Sequence, residues 1–240
     1  MTEQMRINLG SRQSIHFGID YVFVPAPVLE PSKCVEFQKN LTDMSVDLPS
    51  VKRAENELHL VREAPHLDVL VKVVGPQVGQ LLITSECREG VLAFFKKEAE
   101  EICKAYEKTW KLPMQFLGRD AAIYSLFSCD GCEHSFRFLW EHLLNQQGAD
   151  AKPLGHLILG GGLRFVMPPT EKEEPELTTR EVKIETFLAE PAKILVVTHL
   201  SWPQPVNEDM FARCSEFLDR VENYTKTEVA TFLTHKDEKR

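Results

Sequence analysis

Six consecutive residues, Cys129 to His134 (CDGCEH), gather more reactive side chains than any other stretch of the chain. A C-x-x-C pair with a histidine beyond it is open to three readings. As a zinc site, the two thiolates need two more donors in a tetrahedron, and the sequence holds no second closely spaced cysteine pair. His134 is too near to complete such a site without strain. His142, on the helix that should follow, is the better third metal ligand, and a fourth is missing. As a redox pair, the motif stands just ahead of a helix expected to start near Ser135, where the helix dipole stabilises a thiolate. The βαβ surroundings of a thioredoxin-like site are absent, however. As plain structure, Asp130-Gly131 makes a turn and Glu133 or Ser135 caps the helix. The structural reading asks least of the sequence, so no metal site is favoured at Cys129, Cys132 and His142.

The glycine run LGGGLRF, residues 159–165, raises the question of a phosphate loop. Such a loop needs a Gly-Lys-Ser/Thr ending and a helix directly after it, whereas a strand pattern follows here. A bulge, or a point where the last helix crosses the sheet closely, explains the glycines better. Arg164 remains a residue that would face an anion or a partner. Asp20, Glu185 and His199 fall on expected strands, but their spacing does not bring them together, and carboxylates of unknown separation make no acid–base pair. Neither a serine elbow nor an H-E-x-x-H motif nor a kinase set is present. No catalytic residue and no cofactor is expected. Phe187 sits on the polar side of its strand, and Trp202 ends a strand ahead of Pro203 and Pro205. With Arg164, these two are the candidates for an exposed partner surface.

The elements that would carry these residues are well marked. IHFGIDYVFV, residues 15–24, alternates Ile15, Phe17, Ile19, Tyr21 and Phe23 with polar or small residues, the period of a half-buried strand. A short helix is expected from Ser32, as its cap, to Leu41. Residues 57–62 read as a strand and 66–85 as a hairpin turning at Gly75–Gly79. Leu92, Phe95, Ala99, Ile102 and Tyr106 mark an amphipathic helix that Pro113 ends. The order then starts again. A strand is expected at 114–117, a helix at 135–145, a strand pair or one bulged strand at 157–167, a hairpin through Glu190-Pro191, and a long helix from Asn207 to Leu233.

Both stretches thus read strand, helix, several strands, long helix. That order predicts an α+β fold of two similar halves, 14–112 and 113–235, each an antiparallel sheet with a long helix packed across one face. Joined edge to edge, the halves would make one compact saddle. PPTEKEEPELTT, residues 168–179, should be an exposed acidic excursion, and the tail HKDEKR loose.

Of 240 residues, 28 are basic and 36 acidic, a net charge of -8. Nucleic-acid binding draws on a basic surplus, so this balance disfavours it, and a concave sheet that grips DNA or RNA ranks third among the functional readings. No stretch has the length of a signal peptide or a bilayer span. Cys34, Cys87, Cys103 and Cys214 are scattered, as buried thiols of a reducing compartment are, and a cytoplasmic protein without membrane contact is expected.

The closing residues ILVVTHLSW and EFLDRVENYTKTEVATFL resemble the last strand and terminal helix of an uncharacterised, sporadically distributed bacterial family. The resemblance covers about the final fifth of the chain and brings no catalytic residues with it. It implies a place among accessory proteins of phage-defence loci. The duplicated element order also looks like the fold of the TATA-binding protein, although the acidic balance argues against its DNA-binding role. The expectation is a non-enzymatic binding or regulatory protein that acts through a protein partner. A thiol or zinc protein using Cys129 and Cys132 is the alternative.

Overall fold

Phe17, Ile19, Tyr21 and Phe23 of the first strand are all buried, while His16, Gly18 and Asp20 alternate to the other side. One side of that strand is therefore packed under helices, and among the described residues the other is not. The computed structural model describes residues 5–86, 91–146, 155, 158–170 and 176–235. In chain order these form β1 (Arg6–Val24), α1 (Pro31–Asp43), β2 (Ser50–Ala54), β3 (Glu57–Glu63), β4 (His66–Gly75), β5 (Val78–Glu86), α2 (Leu92–Trp110) and β6 (Gln115–Asp130). Then come α3 (Ser135–Arg137), β7 (Gly162–Met167), β8 (Thr179–Thr186), β9 (Lys193–Trp202), α4 (Cys214–Tyr224) and α5 (Ala230–Thr234). A π-helical stretch, Phe138–Leu143, continues α3, and another, Thr225–Val229, joins α4 to α5.

The fold is α+β. Its nine strands make one antiparallel sheet in the order β2-β3-β4-β5-β1-β6-β9-β8-β7. The expected hairpins β4–β5 and β8–β9 form, as does the amphipathic helix α2. No helix among the described residues is long and apolar enough to cross a membrane.

The helices pack the sheet through two apolar clusters. In the larger, Phe95, Ile102 and Tyr106 of α2, Phe37 of α1, and Phe217 and Leu218 of α4 meet β1, β3, β4, β5 and the adjoining parts of β6 and β9. In the smaller, Phe138, Leu139, Val229 and Leu233 cover Phe127, Val182, Ile184 and Val196. Phe211 is a hub of the first cluster. Its ring lies edge-on to Tyr21 at 4.8 Å, Phe116 at 5.1 Å, Tyr106 at 5.5 Å and Phe23 at 6.1 Å.

Several boundaries differ from the sequence reading. β1 begins at Arg6, and β6 runs 16 residues to Asp130, because Ile7 pairs with Cys129 and extends the ladder. Helix α1 starts at Pro31 instead of being capped by Ser32, since proline's fixed φ suits the first helical position. The last helix starts at Cys214 and not near Asn207. The Asp209 carboxylate accepts from the Phe211 and Ala212 N–H groups at 3.0 and 3.2 Å and holds that stretch in a turn. The acidic excursion falls partly on residues 171–175, outside the described residues. Its end is not free: Glu176 and Leu177 are half-buried and Thr178 is buried. Residues 236–240 of the tail also lie outside the described residues.

Replacing Phe211 by alanine should cost about 3–5 kcal/mol, the usual loss when a buried phenylalanine is truncated. A urea melt followed by tryptophan fluorescence checks this.

Candidate functional site on the uncovered sheet face

Strand register decides which polar residues share the uncovered face. Asp20 of β1 stands opposite Asp120 of β6, and Asp120 opposite Ser201 of β9. The next row along is Gly18, Ala122 and His199, and the next His16, Tyr124 and Val197. Directly opposed side chains have Cβ atoms about 4.5–5.5 Å apart, so Asp20 and Asp120 are immediate neighbours.

Their hydrogen bonds are unequal. Asp120 Oδ1 accepts from the Ser201 hydroxyl and lies 3.1 Å from His199 Nε2. Gln80 Nε2 donates to Asp20 Oδ2 at 2.7 Å, but Asp20 Oδ1 is buried with no hydrogen-bond partner. Burial, against the Gln80 hydrogen bond and with help from the Asp120 charge, pushes the Asp20 carboxyl from its ordinary 3.8 up to about 6.

The trio of Asp120, His199 and Ser201 is not a nucleophilic triad. In such a triad the imidazole accepts the serine proton at one nitrogen while a carboxylate holds the other. Here the serine and the imidazole both converge on the same carboxylate oxygen, and Ser201 Oγ is 3.5 Å from His199 Nε2. The arrangement concentrates negative charge instead.

Further along the same face, a cleft of about 570 Å³ is lined by His16, Glu86, Tyr124, Leu126, Phe187 and Glu190. The His16 and Tyr124 rings are 4.4 Å apart. Glu86 Oε1 lies 4.0 Å from His16 Nδ1, and Lys193 pairs with Glu190 at 2.6 Å. Burial pulls the His16 pKa below its ordinary value, against the pull of Glu86.

Of the residues singled out in the sequence, Asp20 and His199 come to one patch. Phe187 lines the neighbouring cleft and is half-buried. Glu185 does not join them: it pairs with Leu195, while Glu181 is the residue opposite His199. Trp202 is a correction. It is 0% exposed, because it shares the helical side of β9 with Val196 and Leu200, and its ring packs 4.6 Å from Phe217. Arg164 is exposed on β7, where Glu181 holds its guanidinium through two contacts of 2.9 Å.

The glycine run is explained by close packing, though not against the last helix. A Cβ on Gly161 would come 2.8 Å from the Phe136 ring, and one on Gly162 would come 2.8 Å from the Ile184 carbonyl oxygen. Cys129 and Cys132 form a disulfide with their Cα atoms 5.6 Å apart. His142 is buried beside them in sequence only, stacked on Phe138 at 5.0 Å. Among the described residues no group of three His, Cys, Asp or Glu side chains is arranged to hold a metal. The expected cap also changes identity: His134 Nδ1 accepts from the Phe136 N–H at 3.3 Å, while Ser135 Oγ donates to the Lys193 carbonyl.

Asp120, Ser201 and Gln80 were not visible as site residues. Alternation puts Asp120 on the face opposite Ala121 and Ile123, but only the β1–β6 register reveals that it meets Asp20. The chain matches no protein-family model, no curated protein and no solved structure.

A carboxyl whose pKa is raised by folding binds more protons in the native than in the unfolded state. Its stabilising contribution is present below about pH 4 and is lost as pH rises through about 6. Stability of the wild-type protein should therefore fall over that interval, and Asp20→Asn should flatten the fall. Urea midpoints measured at pH 4.5 and pH 7.5 for both proteins check the sign.

Proposed function

We propose that the chain is a non-enzymatic binding protein whose uncovered sheet face receives an extended, basic segment of a protein partner. The observation that carries this reading is the Asp20–Asp120 pair, two adjacent carboxylates at the centre of the sheet with no Lys or Arg among the described residues bonded to either. A cationic side chain laid across them would relieve the Asp120 repulsion that adds to burial in raising the Asp20 pKa.

The second anchor is the cleft at His16. It lies four residues from Asp20 along β1, about 13 Å at the rise of a strand. Tyr124 and Phe187 offer aromatic faces there, and Glu86 a carboxylate, the surroundings that attract an ammonium or guanidinium group. Between the anchors, Gly18 and Ala122 leave a low floor over which a ligand backbone can pass. Two basic side chains four residues apart on an extended segment match this spacing. A nucleic acid would meet the same carboxylates with its phosphates, which argues against the concave-sheet nucleic-acid reading.

Strand order supports a further part of this reading, that the sheet is built from two similar halves, 14–112 and 113–235. Outward from the central β1–β6 pair come β5, β4, β3 and β2 on one side, and β9, β8 and β7 on the other. In each series the last strand before the long helix lies next to the centre. The proposed groove then runs over the junction of the halves.

A fluorescently labelled peptide with lysines four residues apart should bind, with affinity falling as salt is added. Asp120→Asn should weaken it about tenfold, as loss of one close charge pair does. Equal binding of a glutamate-substituted peptide, or no binding at low salt, would exclude the reading.

The bonded sulfurs of Cys129 and Cys132 favour a second reading, a thiol-based control of the same face. Cys129 N–H donates to the Ala192 carbonyl at 3.0 Å and Ser135 N–H to the Pro191 carbonyl at 2.7 Å, so the disulfide segment braces the β8–β9 turn. That turn carries Phe187 and Glu190. Reduction by a dithiol, which leaves as its own cyclic disulfide, should change peptide affinity in the wild type and not in the Cys129→Ser/Cys132→Ser variant. Identical affinities before and after reduction would defeat it.

A further inference from the structure

On the helical side of the sheet, three N–H groups of two neighbouring residues are buried without an acceptor. They are Arg119 Nε, Arg119 Nη2 and Trp202 Nε1. Arg119 is 1% exposed and Trp202 0%, and the two residues stand directly opposite each other on β6 and β9. Phe217 of α4 packs against both, its ring 4.6 Å from the Trp202 ring and 5.7 Å from the Arg119 guanidinium carbon. The one nitrogen of Arg119 that is bonded, Nη1, donates to the Gln204 carbonyl at 2.7 Å. Burying a donor without a partner costs its desolvation outright, and for a charged group the cost is greater.

Two more guanidinium groups border the same aromatic pair. Arg213 stands 5.3 Å from the Phe217 centroid and Arg220 stands 5.0 Å from the Trp202 centroid. Glu176, at the end of the acidic excursion, bridges them with contacts of 2.6 Å to Arg213 and 2.8 Å to Arg220. Glu216 takes the remaining face of Arg213 at 2.6 Å. Neither Glu176 nor Glu216 is hydrogen-bonded to Arg119.

We propose that Arg119, Arg213, Arg220 and the Trp202 indole form a binding site for a small phosphate-type oxyanion, with the Glu176 carboxylate as the chain's own competitor for it. The unsatisfied groups are all donors, so the missing partner is an acceptor. Arg119 Nε and Nη2 form the planar fork that takes two oxygens of one oxyanion, and the indole N–H supplies a third direction.

Electrostatics point the same way. Burial above all pulls the Arg119 pKa down, and the nearby Glu176 opposes that pull. For Glu176, burial is outweighed by the hydrogen bonds from Arg213 and Arg220, which hold its carboxyl below the ordinary value. Glu176 therefore stays ionised and competes as an anion at neutral pH. The site is on the opposite side of the sheet from the proposed basic-segment groove and does not depend on it.

The test is thermal unfolding and calorimetric titration with inorganic phosphate at constant ionic strength, with acetate as the comparison anion. Glu176→Gln should melt lower than wild type in buffer alone, and phosphate should restore the loss. Its phosphate affinity should exceed that of wild type about tenfold, because one competing charge is gone. Adding Arg119→Lys, which keeps the charge but removes the fork, should reverse that gain. If that double variant does not fold, Arg220→Gln in the Glu176→Gln background carries the same expectation. A Glu176→Gln protein that phosphate stabilises no more than acetate does would overturn the proposal and leave Glu176 as a structural ion-pair partner only.

Discussion

The antiparallel pairing of β1 with β6 is the constraint on which the rest depends. The two strands are 19 and 16 residues long and sit at the centre of the sheet, so every other strand is placed by its distance from them. Their ladder is not uniform. It shifts register between Asn8 and Gln13, between Ser14 and His16, and between Val22 and Phe23. The last shift puts one extra residue on β6, as a bulge does, and keeps the apolar residues of the pair on the helical side. Without the last of these shifts, Phe116 and Arg119 could not both lie under the helices.

One consequence is that adjacent residues of β6 serve opposite faces with opposite charge. Arg119 points to the helical side, where α4 brings Arg213 and Arg220 near it, and Asp120 points to the uncovered side, where β1 brings Asp20 beside it. A strand's alternation makes this possible at no cost in backbone geometry. Like charges are held close on both faces. On the helical side Glu176 and Glu216 offset part of the repulsion. On the uncovered side it is relieved by hydrogen bonding to Asp120 and by the raised proton affinity of Asp20.

Local pattern was enough to read β1, the two hairpins and α2, because each depends on alternation or helical spacing within some twenty residues of chain. It was not enough for the site. Asp20 and Asp120 are a hundred positions apart, and nothing short of the register brings them together. Trp202 was misread for a different reason. Its parity with Ile194, Val196 and Leu200 already put it on the buried side, but the two prolines after it suggested a rim. A buried arginine such as Arg119 runs against the rule that charged strand residues face water, so alternation alone would have assigned it outward. The same limit hid the cap at His134. Its imidazole does a job usually given to serine or aspartate, and the serine beside it is used to brace β9.

The disulfide and the glycine run, the two stretches that looked most chemical, turn out to lie close to each other in the fold. Cys129 is the last residue but one of β6, Ser135 and Phe136 follow the strand, and the Gly161 backbone fits beneath the Phe136 ring while its carbonyl accepts from Thr186 N–H at 3.0 Å. Both stretches therefore position the start of β7 and the β8–β9 turn. That turn carries Phe187 and Glu190, which are part of the cleft on the uncovered face. The glycines thus act by shape, and the C-x-x-C segment braces the turn through its backbone. Through the turn they hold the Phe187 side of the cleft in place. The charge that would attract a ligand comes from residues with no motif at all.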